Sequence, residues 1–179
     1  MKLNITIDGK TYEVDVEVAE ADHAGLPPAY PIGSARLAGS VVGSPAPAFL
    51  AVRTDGGMQD FPTAYAGKPL VIRFWADWCK YCEGEMKAIE VVYQRHKGKG
   101  LEVLAINAGQ DKATIDAFIR KIGITYPALL DEKSAIARSY GVVGLPTTFF
   151  IDGKGIVRAK IVGEADAATF ERHALELLQ

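Results

Sequence analysis

The only two cysteines of this 179-residue chain, Cys79 and Cys82, stand three positions apart, just after the apolar run Leu70-Val71-Ile72-Arg73-Phe74-Trp75. Two cysteines placed at random take that spacing about 1% of the time, so the placement itself carries information. The run is short enough for a buried strand. Beyond it Met86, Ile89, Val92, Tyr93 and His96 recur at three and four, which predicts a helix over 80–97 that ends at Gly98 and Gly100. Glu83 and Glu85 fall in its first turn, and Arg95 and Lys97 in its last, as the helix dipole favours. Three residues is nearly one helical turn, so both sulfurs reach one face within disulfide distance.

After this helix the pattern keeps alternating. Strands are expected at 101–106 and 126–130, with a helix at 111–122 between them whose Ile115, Phe118, Ile119 and Ile122 point inward. A small helix at 132–140 precedes Gly141. Runs at 147–151 and 155–161 flank Asp152-Gly153-Lys154-Gly155 and read as a hairpin, and 165–178 closes the chain as an amphipathic helix. A further strand at 49–52 opens the set. Such an order predicts an α/β fold, a mixed central sheet with helices on both faces.

Ahead of that core lies different material. Leu3-Ile5-Ile7 and Tyr12-Val14-Val16-Val18 alternate apolar and polar around Asp8-Gly9-Lys10, a hairpin signal. From Ala19 to Ala48, 20 of the 30 residues are Ala, Gly, Pro or Ser without period, as in a semi-extended linker. The expected organisation is a β-hairpin over 1–18, a linker over 19–43 and one domain over 44–179. At 49% apolar the chain can bury a sizeable core, and a net charge of -2 lacks the basic footprint of a nucleic-acid partner. No stretch approaches the roughly 18 apolar residues of a membrane span, and the N-terminus lacks a signal peptide's apolar run. Cytoplasmic residence, with reduced thiols, follows as the expectation; a leader removed from the N-terminus would make it periplasmic.

Two cysteines three apart at a helix start suit redox chemistry. Unpaired backbone N–H groups and the positive end of the dipole stabilise a thiolate there, and the thiolate is the nucleophile. Cys79, at the outer end with Lys80 beside it, is the expected attacker, and Cys82 would resolve the mixed disulfide. Asp77, Glu83 and Glu85 oppose this by raising thiol pKa values if they lie close, which leaves the redox poise open. The competing use of the pair is half a zinc site or a thiolate metal-delivery module. A structural zinc site needs four ligands, and beyond the two cysteines only His23, His96 and His173 are at hand, scattered along the chain.

These residues resemble the thioredoxin superfamily and, within it, the TlpA, ResA and DsbE group of thiol-disulfide oxidoreductases. The likeness rests on Pro47-Ala48-Phe49, Gly67-Lys68-Pro69-Leu70-Val71, Phe74-Trp75-Ala76 through Cys82, and Gly144-Leu145-Pro146-Thr147-Thr148-Phe149-Phe150-Ile151-Asp152. It spans 44–179, with 107–130 similar to the insertion this group adds to plain thioredoxin. The resemblance implies a thioredoxin fold and exchange of electrons with protein disulfides as a reductant. It implies no cofactor, no metal, and partners that are protein thiols plus a recycling reductant. It also implies that Pro146 is a cis-proline facing the sulfurs, that the backbone of Leu145 pairs with the substrate chain, and that Glu85 serves proton transfer. Trp75 and Trp78 are expected to pack around the site, with Trp78 partly exposed as a contact surface.

Several positions depart from the group. Tyr81 stands where proline is common, and Arg73 where thioredoxin has a buried acid and the group often has Asn. Arg73 could favour a Cys82 thiolate, point to solvent, or pair with Asp77. A peroxiredoxin-like thiol peroxidase shares the fold, but Ala76-Asp77-Trp78 lacks the Pro and the Thr or Ser that chemistry needs before its cysteine. Residues 1–18, with Ser40-Val41-Val42 and Pro45-Ala46-Pro47, look like the opening of biotin-carrier domains. The biotin-bearing Met-Lys-Met is missing, so biotinylation is not implied.

Overall fold

The computed structural model describes residues 40–179 in full and, ahead of them, the backbone of two strands, β1 (Lys2–Ile7) and β2 (Lys10–Asp15). These pair antiparallel, with Leu3 opposite Val14 and Ile5 opposite Tyr12. Val16 and Val18, and residues 19–39 of the linker expected over 19–43, lie outside the described residues. The chain divides into units 1–35 and 36–179, and everything below concerns the second.

That unit runs β3 (Phe49–Val52), β4 (Met58–Phe61), β5 (Leu70–Trp75), α1 (Cys82–His96), β6 (Glu102–Ala108), α2 (Lys112–Ile122), β7 (Ala128–Asp131), α3 (Ala135–Ser139), β8 (Thr147–Ile151), β9 (Val157–Val162) and α4 (Ala167–Leu177). Five strands form one sheet in the order β7-β6-β5-β8-β9, with β5, β6 and β7 parallel and β8 and β9 antiparallel to their neighbours. This is the mixed sheet that the alternation predicts. The central strand β5 is buried at all six positions, which is why it reads as an unbroken run rather than an alternation.

Period two still sorts its side chains. Leu70, Ile72 and Phe74 join Phe49, Phe61, Ala137, Tyr140 and Phe149 on one face of the sheet. Val71 and Trp75 join Met86 and Ile89 of α1, Ile115 and Phe118 of α2, and Phe170 of α4 on the other. Three helices therefore cover one face, while α3 and the β3–β4 hairpin cover the second. Arg73 shares the parity of Val71 and Trp75 and so lies beneath α1.

Boundaries moved where local hydrogen bonds outweighed pattern. α1 starts at Cys82 rather than at 80, because the turn before it uses i to i+3 bonds, Cys79 N–H to the Ala76 carbonyl at 3.2 Å and Cys82 N–H to the Cys79 carbonyl at 3.1 Å. The helix expected over 132–140 shrinks to Ala135–Ser139. The Asp131 carboxylate accepts from the N–H groups of Ile136 and Ala137, at 3.2 and 2.9 Å, and so sets the start. β4 has no apolar alternation to betray it: only Phe61 is buried, and its partner is β3.

Gly153 in the β8–β9 turn meets the backbone of Gly67, whose N–H donates to the Gly153 carbonyl at 2.9 Å. A Cβ on Gly153 would lie 2.8 Å from the Gly67 carbonyl carbon, whereas one on Gly84 in α1 would meet nothing within 4 Å. Gly153→Ala is therefore expected to destabilise by about 1–3 kcal/mol. Gly84→Ala should stabilise by about 0.4–1 kcal/mol. Denaturant unfolding checks both, and equal midpoints for the two variants would refute the close approach.

Candidate active site

The site forms where β5 ends. Trp75, the last residue of the strand, lies opposite Asn107 of β6 and is fully buried, with its ring stacked on Phe118 of α2 at 4.8 Å. The chain then turns through Ala76–Tyr81 and enters α1 at Cys82. Cys79 and Cys82 are joined in a disulfide, with Cα atoms 5.4 Å apart. Cys82 is fully buried, while Cys79 retains 6% of its surface. Only Cys79 of the two lines an open groove of about 570 Å³, whose other walls include Trp78, Lys80 and, from α2, Thr114 and Lys121. Trp78 is 69% exposed, so the two tryptophans have opposite roles: one packs, the other presents a surface.

The Leu145–Pro146 peptide is cis. Leu145 packs against the core cluster that contains both cysteines, and the Pro146 carbonyl accepts from Gly163 N–H at 2.8 Å. Leu145 itself makes no backbone hydrogen bond among the described residues. Val143 in the same loop is 90% exposed. A second cis bond, Phe61–Pro62, had no mark in the sequence.

Each of the three acids near the cysteines has a partner. Glu83 takes Lys87 at 2.9 Å and Lys121 of α2 at 2.6 Å, and these hydrogen bonds pull its pKa down to about 2. Asp77 accepts from the Gln110 side-chain amide at 2.5 Å. Glu85 pairs with Arg73, and its second oxygen accepts from Ala165 N–H at 2.5 Å, which links α1 to the segment entering α4.

Arg73 thus neither points to solvent nor pairs with Asp77. Strand parity puts it under α1, where it is 1% exposed, pairs with Glu85 and donates to Thr148 Oγ1 on β8 at 2.8 Å. Burial pulls the guanidinium's pKa below its ordinary value, and the facing Glu85 opposes that shift. Thr148 is recoverable only from the sheet, since it lies directly opposite Arg73 in the β5–β8 register. Gln110, 33 positions from Asp77, left no signal in the sequence at all. Of the histidines, His96 pairs with Glu171 at 2.8 Å and His173 with Glu176 at 3.0 Å, and neither lines the groove beside Cys79. His23 lies outside the described residues.

A Cys-x-x-Cys disulfide just past the end of a central strand, with Cys82 opening a helix and a cis-proline immediately ahead of the neighbouring strand β8, defines a thiol-disulfide oxidoreductase of thioredoxin fold. The chain belongs to the AhpC/TSA family, whose model matches residues 42–160, and within it to the ResA-type thiol-disulfide oxidoreductases. Thiol-disulfide oxidoreductase ResA of Geobacillus kaustophilus (strain HTA426) is 39% identical over 133 residues, 74% of this chain and 75% of its own. ResA of Bacillus subtilis (strain 168) is 32% identical over 121 residues, 68% of this chain and 67% of its own. Among solved structures, a thiol:disulfide interchange protein of the thioredoxin family from Chlorobium tepidum TLS superposes with a TM-score of 0.70 at 27% identity. That match covers 78% of this chain and 99% of the other. Membership makes protein thiols the substrate class. No helix among the described residues is long and apolar enough to cross a membrane.

The buried pair sets a stability prediction. Removing one partner leaves a buried charge uncompensated, whereas replacing both with apolar groups removes the desolvation cost along with the attraction. Glu85→Ala is expected to cost about 3–5 kcal/mol. The double variant Arg73→Met with Glu85→Leu should lose much less. Equal losses in chemical denaturation would mean that the two side chains are not energetically coupled.

Proposed function

We propose that this protein reduces protein disulfides, with Cys79 as the attacking and Cys82 as the resolving sulfur. The single observation that carries the assignment is the asymmetry of access: Cys79 borders the open groove, and Cys82 is sealed. The Cys79 thiolate attacks one sulfur of the partner's disulfide. That S–S bond breaks, a mixed disulfide forms, and the released partner sulfur leaves as a thiolate that takes up a proton. Cys82 then loses its proton and attacks Cys79 Sγ. The mixed disulfide breaks, the Cys79–Cys82 bond forms, and the second partner sulfur leaves and is protonated. Two electrons pass from the dithiol to the partner, which leaves this chain in the disulfide form, to be reset by a recycling dithiol.

Supporting parts follow from position. Glu85 stands one helical turn beyond Cys82. Its oxygens keep lone pairs beyond those given to Arg73 and Ala165, so it is assigned as the acceptor of the Cys82 proton. Trp78 supplies an apolar surface against the partner, and the open N–H and C=O of Leu145 before cis-Pro146 pair with the partner's extended backbone. Partner disulfides form and persist in oxidising compartments, which favours periplasmic over cytoplasmic residence.

Cys79→Ser should abolish disulfide reduction, and Cys82→Ser should accumulate a mixed disulfide with the substrate, visible by mass spectrometry without reductant. A Cys82→Ser protein that turns over normally would reverse the assigned roles. Equilibration in thiol buffers, read by tryptophan fluorescence, tests direction. A potential of about -270 mV fits a reductant, and one of about -120 mV marks an oxidant and overturns this reading.

A further inference from the structure

We propose that Gln110 is a positioning residue for Cys79, its side-chain amide clasping Asp77 and so holding the turn that carries the attacking sulfur. The proposal rests on the assignment of Cys79 above.

Gln110 sits between β6 and α2, far in sequence from the cysteines. Its Oε1 accepts from the backbone N–H of Asp77 at 2.8 Å, and its Nε2 donates to Asp77 Oδ1 at 2.5 Å. One amide therefore grips both the main chain and the side chain of the residue two before Cys79, which fixes rotation as well as position. Gln110 is itself held. Asn107 Nδ2 donates to the same Oε1 at 2.9 Å, and Gln110 N–H donates to Asn107 Oδ1 at 3.2 Å. Asn107 is fully buried in β6, directly opposite Trp75, the residue from which the turn departs. The clasp thus closes a ring from the end of β5 across β6 and back to the turn.

The turn has few other restraints. Between Trp75 and α1 its backbone is tied by the i to i+3 bonds at Cys79 and Cys82, by Glu85 N–H to the Tyr81 carbonyl at its far end, and by the disulfide. The disulfide is absent from the reduced form, which is the form that attacks. With it open, the Gln110 clasp is the side-chain tie that still anchors the segment ahead of Cys79. The clasp also occupies the Asp77 carboxylate, a negative charge whose approach to Cys79 would disfavour the thiolate. Misplacing a reacting atom by even 1 Å is costly in rate.

The test compares the full chain in its reduced state with Gln110→Ala, Gln110→Glu and the double variant Gln110→Glu with Asp77→Asn. Single-turnover reduction of a small aromatic disulfide is followed in parallel with iodoacetamide labelling mapped by mass spectrometry. Gln110→Glu sets two carboxylates against each other. The double variant restores a donor–acceptor pair of the same size with its polarity reversed, so the side chain at position 77 donates where it accepted in the parent. Both single variants should react about tenfold more slowly than the parent. The double variant should return to within about twofold of it. A purely structural role for Gln110 would track thermal stability and would not show that rescue. Gln110→Ala at the parent rate, or a double variant no faster than Gln110→Glu, overturns the proposal. The rescue pair decides the matter even where Gln110→Ala unfolds. A parent label on Cys82 overturns the assignment of Cys79 and this proposal with it, whereas Cys79 labelling at one rate in every variant overturns Gln110 alone.

Discussion

Sealing β5 on both faces is the constraint from which the remaining architecture follows. A strand with no solvent-exposed position can be built only where helices or a second layer cover each side, so the chain must return on both faces of one sheet. α1, α2 and α4 supply one cover, and α3 with the β3–β4 hairpin the other. Because the strand cannot shift, the turn at its end is held in space, and the disulfide inherits a rigid platform. Cys79 sits at the edge of that platform, and Cys82 lies inside it.

The same burial forces a solution for Arg73. A guanidinium inside a sheet is expensive to desolvate, and the structure meets that cost with a carboxylate from α1 and a hydroxyl from β8. Glu85 is thereby bound into a chain of contacts that runs from the central strand through α1 to the segment ahead of α4. The proton-acceptor role proposed for Glu85 would therefore fall on a residue that also ties α1 to its neighbours. Glu83 and Asp77 are held differently, the first paired with lysines and the second hydrogen-bonded by a side-chain amide, and both of those arrangements reach across to α2 or the turn leading into it. The segment that resembles the group's insertion is thus tied electrostatically to the active-site turn.

Much of this was legible from residues alone. The Cys79–Cys82 spacing, the apolar run before it, the helical period after it and the β8–β9 turn each depend on neighbours within a few positions, where propensity and periodicity act. Pro146 was legible through resemblance. The limits of the elements were less so: the start of α3 is set by the Asp131 carboxylate and that of α1 by the tight turn ahead of it, both hydrogen-bond choices to which hydrophobic period is blind.

What the sequence by itself determined is the class of fold and the identity of the reacting pair, because local patterning encodes burial and a single cysteine pair leaves no alternative sulfur. The outer place of Cys79 was also legible, from its position ahead of the helix; only tertiary structure decided what neutralises Arg73 and what holds Asp77. Those outcomes depend on contacts such as Arg73 with Glu85 and Asp77 with Gln110. They are formed only when strand parity and sheet register bring together groups that lie 12 to 33 positions apart, and nothing in the order of residues scores such a meeting in advance.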